Sequence, residues 1–278
     1  MATLRPIFAV GPTALKGANM RILLVGDIVG SPGRACFKRV ARQLLESGEV
    51  HAIIANAENA AAGSGITLPV AKELFDAGAT LMTLGDHTWG QRGFDAQIGC
   101  DKRIVRPANF PESVPGATTA IAETALGPIA VVSVLGQVFM TQCDNPFRAV
   151  DRVLATIPAT IPVFVDVHAE ATSEKIAMGY WLDGRVACVF GTHTHVQTSD
   201  ATLLAKGTAY ITDVGMTGPL HSVIGRQIEP VLKKFTTGIP ARFEVASGAT
   251  KLEGAIVDLP RGARFPTAIT AVRYTFDD

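Results

Sequence analysis

The chain has 278 residues, 47% of them hydrophobic, and its 25 acidic side chains balance 25 basic ones. That length and composition suit one generous globular domain, and zero net charge without a Lys/Arg cluster argues against a long nucleic acid or an anionic membrane as partner. No apolar run nears the roughly 20 residues of a membrane-spanning helix. The four scattered cysteines, Cys36, Cys100, Cys143 and Cys188, form no C-x-x-C pair and read as reduced, mostly core thiols of a cytoplasmic protein.

Residues 1–19 carry a short apolar stretch broken by Pro and Gly, which we read as a disordered extension and not a signal peptide. Residues 20–278 are then the folded domain. RILLVGD predicts a buried strand, GRACFKRVARQLLESG a helix, HAIIANAEN a strand, TLPVAKELFDAG a helix and ATLMTLGD a third strand. Such alternation specifies a parallel α/β sheet. GPIAVVSVLG and the tail from Arg242 to Tyr274 predict strands without intervening helices, hence an antiparallel portion or a second sheet. IPVFVDVH and VACVFGTH predict two more buried strands joined by the helix ATSEKIAMGYW, with Thr172 or Ser173 as N-cap.

The residues at the strand ends carry the chemistry. Asp27 ends the first strand, Glu58 and Asn59 the second, Asp86 and His87 the third, His168 a later one, and His193 and His195 the next. Ligands of open α/β sheets bind at the carboxyl ends of strands. A glutamate closing the apolar run HAIIANA has no structural reason to be there, and a buried charge needs a partner such as a metal. A carboxylate that bridges two cations would set them roughly 3.5–4 Å apart. In His193-Thr194-His195 an extended backbone would put both imidazoles on one face. Mixed oxygen and imidazole donors suit Mn, Fe or Zn better than Mg or Ca. Blander readings fit other residues: Asp27 can be a turn former, His51 and His221 surface histidines, and Trp89, Phe110 and Trp181 wall or core. Asp213 and Gly215 can shape a turn beneath the site, and Arg106 can be a salt-bridged rim residue or a phosphate contact.

The motifs G-D-I-V-G, N-A-E-N, G-D-H-T-W, R-P-A-N-F-P, D-V-H-A-E-A-T-S-E-K, G-T-H-T-H-V-Q-T and I-T-D-V-G-M-T-G-P occur in order from Met20 to about Tyr274. Together they resemble the YmdB-like branch of the calcineurin-like metallophosphoesterases, a family of 2′,3′-cyclic-nucleotide phosphodiesterases. The resemblance implies an α/β fold of two β-sheets in a sandwich flanked by helices, and a site for two divalent metals, iron or manganese foremost, with zinc as an alternative. It gives Asp27, Glu58, Asn59 and His195 to one metal, and Glu58, Asp86, His168 and His193 to the other. His87 would face the substrate. Val29 stands where the wider superfamily has a histidine, Asp86 replaces the family's asparagine, and Asp166 would lie no nearer than a second shell.

The activity so implied is phosphodiester hydrolysis of a small substrate by a metal-bridging hydroxide, with His87 as general acid. A homo-oligomer is compatible with it. An amidohydrolase also uses H-x-H and carboxylates, but it opens with H-x-H after its first strand, whereas here that motif comes late. A non-catalytic or weakly active ligand sensor on the same fold is the alternative.

Overall fold

The computed structural model describes residues 19–277. The extension expected over 1–19 therefore lies outside the described residues except for Asn19, which belongs to the first strand. The chain runs β1 (Asn19–Val25), β2 (Asp27–Ile28), α1 (Gly30–Glu46), β3 (Ala52–Asn56), α2 (Leu68–Asp76), β4 (Leu81–Thr83) and β5 (Ile104–Val105). It continues through β6 (Thr119–Thr124), β7 (Gly127–Leu135), α3 (Pro146–Leu154), β8 (Val163–His168), α4 (Thr172–Leu182), β9 (Cys188–Thr192), β10 (Thr202–Leu203) and β11 (Ala209–Ile211). β12 (Met216–Pro219), α5 (Ile228–Thr237), β13 (Thr250–Pro260) and β14 (Ala268–Phe276) complete it.

Two sheets result. The first has the order β2-β12-β13-β1-β3-β4-β5, with β14 also paired to β13. The second has the order β10-β11-β9-β8-β7-β6. Pairings β1–β3, β3–β4 and β4–β5 are parallel, as are β7–β8, β8–β9 and β9–β11. β13, the long tail strand, runs antiparallel to β1, β12 and β14, so the antiparallel portion expected in the tail is present.

The period-two alternation of the strands decides the layering. Ile22 and Leu24 of β1 pack with Ile129 and Val131 of β7, Phe164 of β8 and Phe190 of β9 in a core between the sheets. Leu23 and Val25 point the other way, against Phe37, Val40 and Leu44 of α1. Val132, Val134, Val165 and Val167 do the same on the far face of the second sheet, under Val150 of α3 and Met178 and Leu182 of α4. Helix–sheet–sheet–helix layering is thus the expected sandwich. Strands covered on both faces read as continuous apolar runs, which is why β1, β3, β8 and β9 were legible.

Local departures have local causes. Thr67 accepts a hydrogen bond from the Val70 amide and Asn145 from the Arg148 amide, capping α2 and α3. α4 is not capped by Thr172 or Ser173; both lie inside its first turn, and the N-cap position is Ala171 without a side-chain cap. Only Cys36 and Cys188 of the four free cysteines are buried, while Cys100 is exposed. Among the described residues no helix is long and apolar enough to cross a membrane.

Candidate metal centre

The carboxyl ends of both sheets meet at one edge. Asp27 begins β2, Glu58 and Asn59 follow β3, Asp86 and His87 open a 3₁₀ turn after β4, His168 ends β8, and His193 and His195 follow β9. All eight residues predicted from the sequence are brought together. Two glycines permit this closeness: a Cβ on Gly26 would collide with the Gly215 carbonyl, and one on Gly85 would collide with the His168 ring and the Glu58 carboxylate. Those glycines let Asp27 and Asp86 turn inward immediately afterwards.

Glu58, 1% exposed, lies at the junction. Its Oε1 is 3.3 Å from His168 Nε2 on one side and 3.2 Å from Asn59 Nδ2 on the other. On the first side, ligand atoms of Glu58, Asp86, His168 and His193 all lie within 4.8 Å of one another. His168 Nε2 is 2.9 Å from Asp86 Oδ1, and His193 Nδ1 is 3.1 Å from His168 Nε2. On the second side, Asn59 Nδ2 is 3.3 Å from both Asp27 Oδ1 and His195 Nε2, which are themselves 3.5 Å apart. Asn59 Oδ1 meets His87 Nδ1 at 2.9 Å. The two ends of an amide have the same shape, so a flip about its long axis would bring the oxygen among those acceptors.

Electrostatics explains why these groups need a cation. Burial by itself raises the carboxyls of Asp27 and Asp86, but neighbouring imidazoles outweigh it and hold both well below the usual carboxylate range: His195 then His168 at Asp27, His168 then His193 at Asp86. Glu58 is likewise burdened by burial and lowered by His168. Conversely, burial depresses His168, yet Glu58 and Asp86 drive its imidazole well above its ordinary value. Three carboxylates in a buried edge demand positive charge. Oxygen and imidazole donors converging from two sides fit divalent transition metals.

The supporting shell was only partly legible. Asp166, fully buried, accepts from Thr83 Oγ1 (2.6 Å), Thr192 Oγ1 (2.6 Å) and Asn56 Nδ2 (3.1 Å). Because the Thr192 hydroxyl donates to Asp166, its oxygen is free to accept from His168 Nδ1 at 2.8 Å. That arrangement leaves His168 Nε2 to face Glu58 Oε1 at 3.3 Å and Asp86 Oδ1 at 2.9 Å. Burial pushes the Asp166 carboxyl up to about 6, partly offset by His168 and these hydroxyls.

The H-x-H segment differs from the expected extended backbone: His193 has φ 95° and His195 φ 62°, both left-handed. Non-glycine residues adopt this region at a cost, so the surroundings must enforce it. Between them Thr194 is held by Asp213, whose Oδ2 accepts from the Thr194 amide (3.2 Å) and hydroxyl (2.7 Å) and pairs with buried Lys175 Nζ at 2.7 Å. Its Oδ1 accepts from the Gly215 amide at 2.8 Å, so Asp213 does shape the turn as expected. Lys175, Asn56, Thr83 and Thr192 are supports that the sequence did not announce, although all but Thr83 stand inside the family's motifs.

Other expectations need correction. Arg106 forms no salt bridge among the described residues; it is 3% exposed and donates to the carbonyls of Pro115, Pro107 and Val114. Trp89 and Phe110 are wall, with ring centroids 6.1 Å apart. Trp181 is 49% exposed and so is not core.

A family model described as YmdB-like protein matches residues 23–272. A 2′,3′-cyclic-nucleotide 2′-phosphodiesterase of Bacillus subtilis (strain 168) is 45% identical over 241 residues, spanning 86% of this chain and 91% of its own. Among solved structures, a hypothetical protein from Thermus thermophilus superposes with a TM-score of 0.86 at 40% identity, over 93% of this chain and 100% of its own. A Mycoplasma pneumoniae structure described as a novel phosphatase gives a TM-score of 0.87 at 33% identity, over 94% and 95%. The order of motifs, the sandwich and these matches agree, and the chain belongs to the YmdB-like protein family.

Proposed function

We propose that this chain is a metal-dependent phosphodiesterase that holds two divalent transition metals about Glu58 and hydrolyses 2′,3′-cyclic nucleotides or related small phosphodiesters. The observation that carries this reading is that Glu58 reaches both ligand groups through one buried carboxylate. Asp27, Glu58, Asn59 and His195 would hold one metal, and Glu58, Asp86, His168 and His193 the other. Iron and manganese suit these donors best, and zinc fits too. Such a pair, when bound, supplies Lewis acidity that brings the pKa of water towards 7 and neutralises phosphoryl oxygens. The similarity to the Bacillus subtilis enzyme supports the cyclic-nucleotide substrate. Four cysteines without a disulfide are in keeping with a reducing, cytoplasmic setting.

His87 has a different task from the ligands. Its amide donates to Glu58 Oε2 at 3.0 Å, and its Nδ1 faces Asn59 and Glu58, the latter at 3.2 Å. The hydrogen bond its ring donates to Glu58 raises its imidazole above the ordinary value despite burial. With Nδ1 engaged and the side chain 43% exposed, Nε2 is left to hold a proton for the departing ribose oxygen. His87→Gln is therefore expected to retain metal while kcat falls ~10²–10⁴-fold. Metal analysis beside steady-state kinetics checks it, and loss of metal would reassign His87 as a ligand.

Asp86 gives the site a third carboxylate where the family motif has an asparagine. The extra negative charge opposes an anionic substrate and makes bound water less acidic. Asp86→Asn is expected to raise kcat/KM for phosphodiesters a few-fold, about the effect of ~1 kcal/mol, with metal retained. If turnover and metal disappear together, Asp86 is an indispensable ligand and its charge does not hold the rate down. The ligand-sensing alternative is not favoured, since every carboxylate and imidazole expected of the site is present and converges. Hydrolysis of bis-p-nitrophenyl phosphate and adenosine 2′,3′-cyclic phosphate with added Mn tests the reading; an inert, fully metallated protein would refute it.

A further inference from the structure

Among the described residues the most exposed large hydrophobic side chain is Phe139, at 90%. It lies on the segment 136–145 between β7 and α3, and its backbone is left-handed, with φ 63°. For a bulky aromatic residue both features are costly: the ring gains nothing from burial, and the backbone region is strained. The loop is nevertheless built to hold this shape. Glu174, in the first turn of α4, accepts the amides of Gln137 (2.9 Å) and Val138 (3.0 Å). Asn109 ties the two ends together, donating to the carbonyls of Leu135 (2.8 Å) and Asp144 (2.9 Å) and accepting from the Leu135 amide (2.8 Å).

The position of this loop gives the ring a purpose. Leu135 and His168 are register partners at the carboxyl ends of β7 and β8, and the Gly136 amide donates to the His168 carbonyl at 3.0 Å, so the loop carrying Phe139 leaves the sheet at the edge that delivers a proposed metal ligand. Across the loop's base, Asn109 precedes Phe110, which packs on Trp89 two residues beyond His87. Phe139 is thus an unburied aromatic side chain on a loop at that sheet edge. A 2′,3′-cyclic nucleotide whose phosphorus sits at the metals must carry its base outward from the ribose, and a base offers a flat π-face to an aromatic ring. The amide group of Gln137, two residues before Phe139, is taken up by the Cys143 carbonyl at 3.0 Å. Stacking without hydrogen-bond readout accepts any base.

We propose that Phe139 is the platform on which the substrate's nucleobase stacks, so that the site prefers a cyclic phosphate bearing any base over the same phosphate without one. This rests on the phosphodiesterase reading above. The test compares adenosine and cytidine 2′,3′-cyclic phosphates with base-free ribose 2,3-cyclic phosphate, in the Mn-loaded wild type, Phe139→Ala and Phe139→Trp. Phe139→Ala should raise KM for both nucleotides roughly 5–150-fold, with kcat nearly unchanged and the base-free substrate unaffected. Phe139→Trp should retain the wild-type KM. Because the ring is exposed, melting temperature should not move, which separates a contact from a folding defect. Wild type active on all three substrates with Phe139→Ala changing none, or all equally, overturns the platform alone. Wild type inert on all three overturns the phosphodiesterase reading and the platform with it.

Discussion

Glu58→Gln is expected to leave the protein folded, to cut its metal content from about two ions to one or fewer per chain, and to lower kcat on the order of 10³-fold. The amide has nearly the shape of the carboxylate and can still accept from the His87 amide, which Glu58 Oε2 does at 3.0 Å. What it lacks is charge. Facing His168 Nε2 at 3.3 Å and Asn59 at 3.2 Å, it would have to present either a neutral oxygen or an N–H₂ group to one of the two ligand sets. His168 holds the Glu58 carboxyl below its ordinary value despite burial, so the charged form stabilises the metal-free fold and the variant's metal-free melting temperature should fall. Elemental analysis, kinetics and a melt of the same preparation check the three parts. A variant with full metal and wild-type turnover would show that Glu58 bridges nothing.

Lys175→Met is expected to destabilise the protein by ~3–5 kcal/mol, the cost of leaving one member of a buried ion pair alone. Lys175 and Asp213 are both buried, their contact is 2.7 Å, and burial already raises the Asp213 carboxyl against the pull of Lys175. For a chain of this size the loss corresponds to a melting temperature lower by roughly 6–20 °C. The same change frees Thr194, which Asp213 holds between the left-handed His193 and His195, so metal affinity should fall ~10–100-fold as for other groups that orient ligands. Lys175→Met with Asp213→Asn removes both charges and should recover most of the stability but not the metal affinity. Calorimetry and metal titration distinguish the two. If the single variant melts within about 2 °C of wild type, the pair is not holding the histidine loop.

The proposed ligands stand out in the sequence where they interrupt something. A carboxylate or imidazole at the end of a doubly buried strand breaks an apolar run, as Glu58 breaks HAIIANA and His168 breaks IPVFVDV. The supports do not stand out, since their partners are distant in sequence: Asp166 meets Asn56 across 110 positions and Thr83 across 83. Nor does a histidine announce its backbone. His193 and His195 are left-handed on either side of Thr194, which is held by Asp213, a residue that no local pattern connects to them. α3 and α5 span only nine and ten residues and each carries a proline near its start, and β10, β11 and β12 are only two to four residues long. The N-cap expected at Thr172 or Ser173 is not found because Thr172 already opens the helix, which leaves Ala171 at the N-cap position.

The most direct test of a two-metal phosphodiesterase site centred on Glu58 is to strip the purified protein with chelator, reload it with Mn in steps, and follow bound metal and hydrolysis of adenosine 2′,3′-cyclic phosphate in the same samples. Such a site predicts negligible turnover when stripped, binding that saturates near two ions per chain, and activity that rises with the second ion. Turnover that survives complete removal of metal, or saturation at two ions with no hydrolysis, would contradict it.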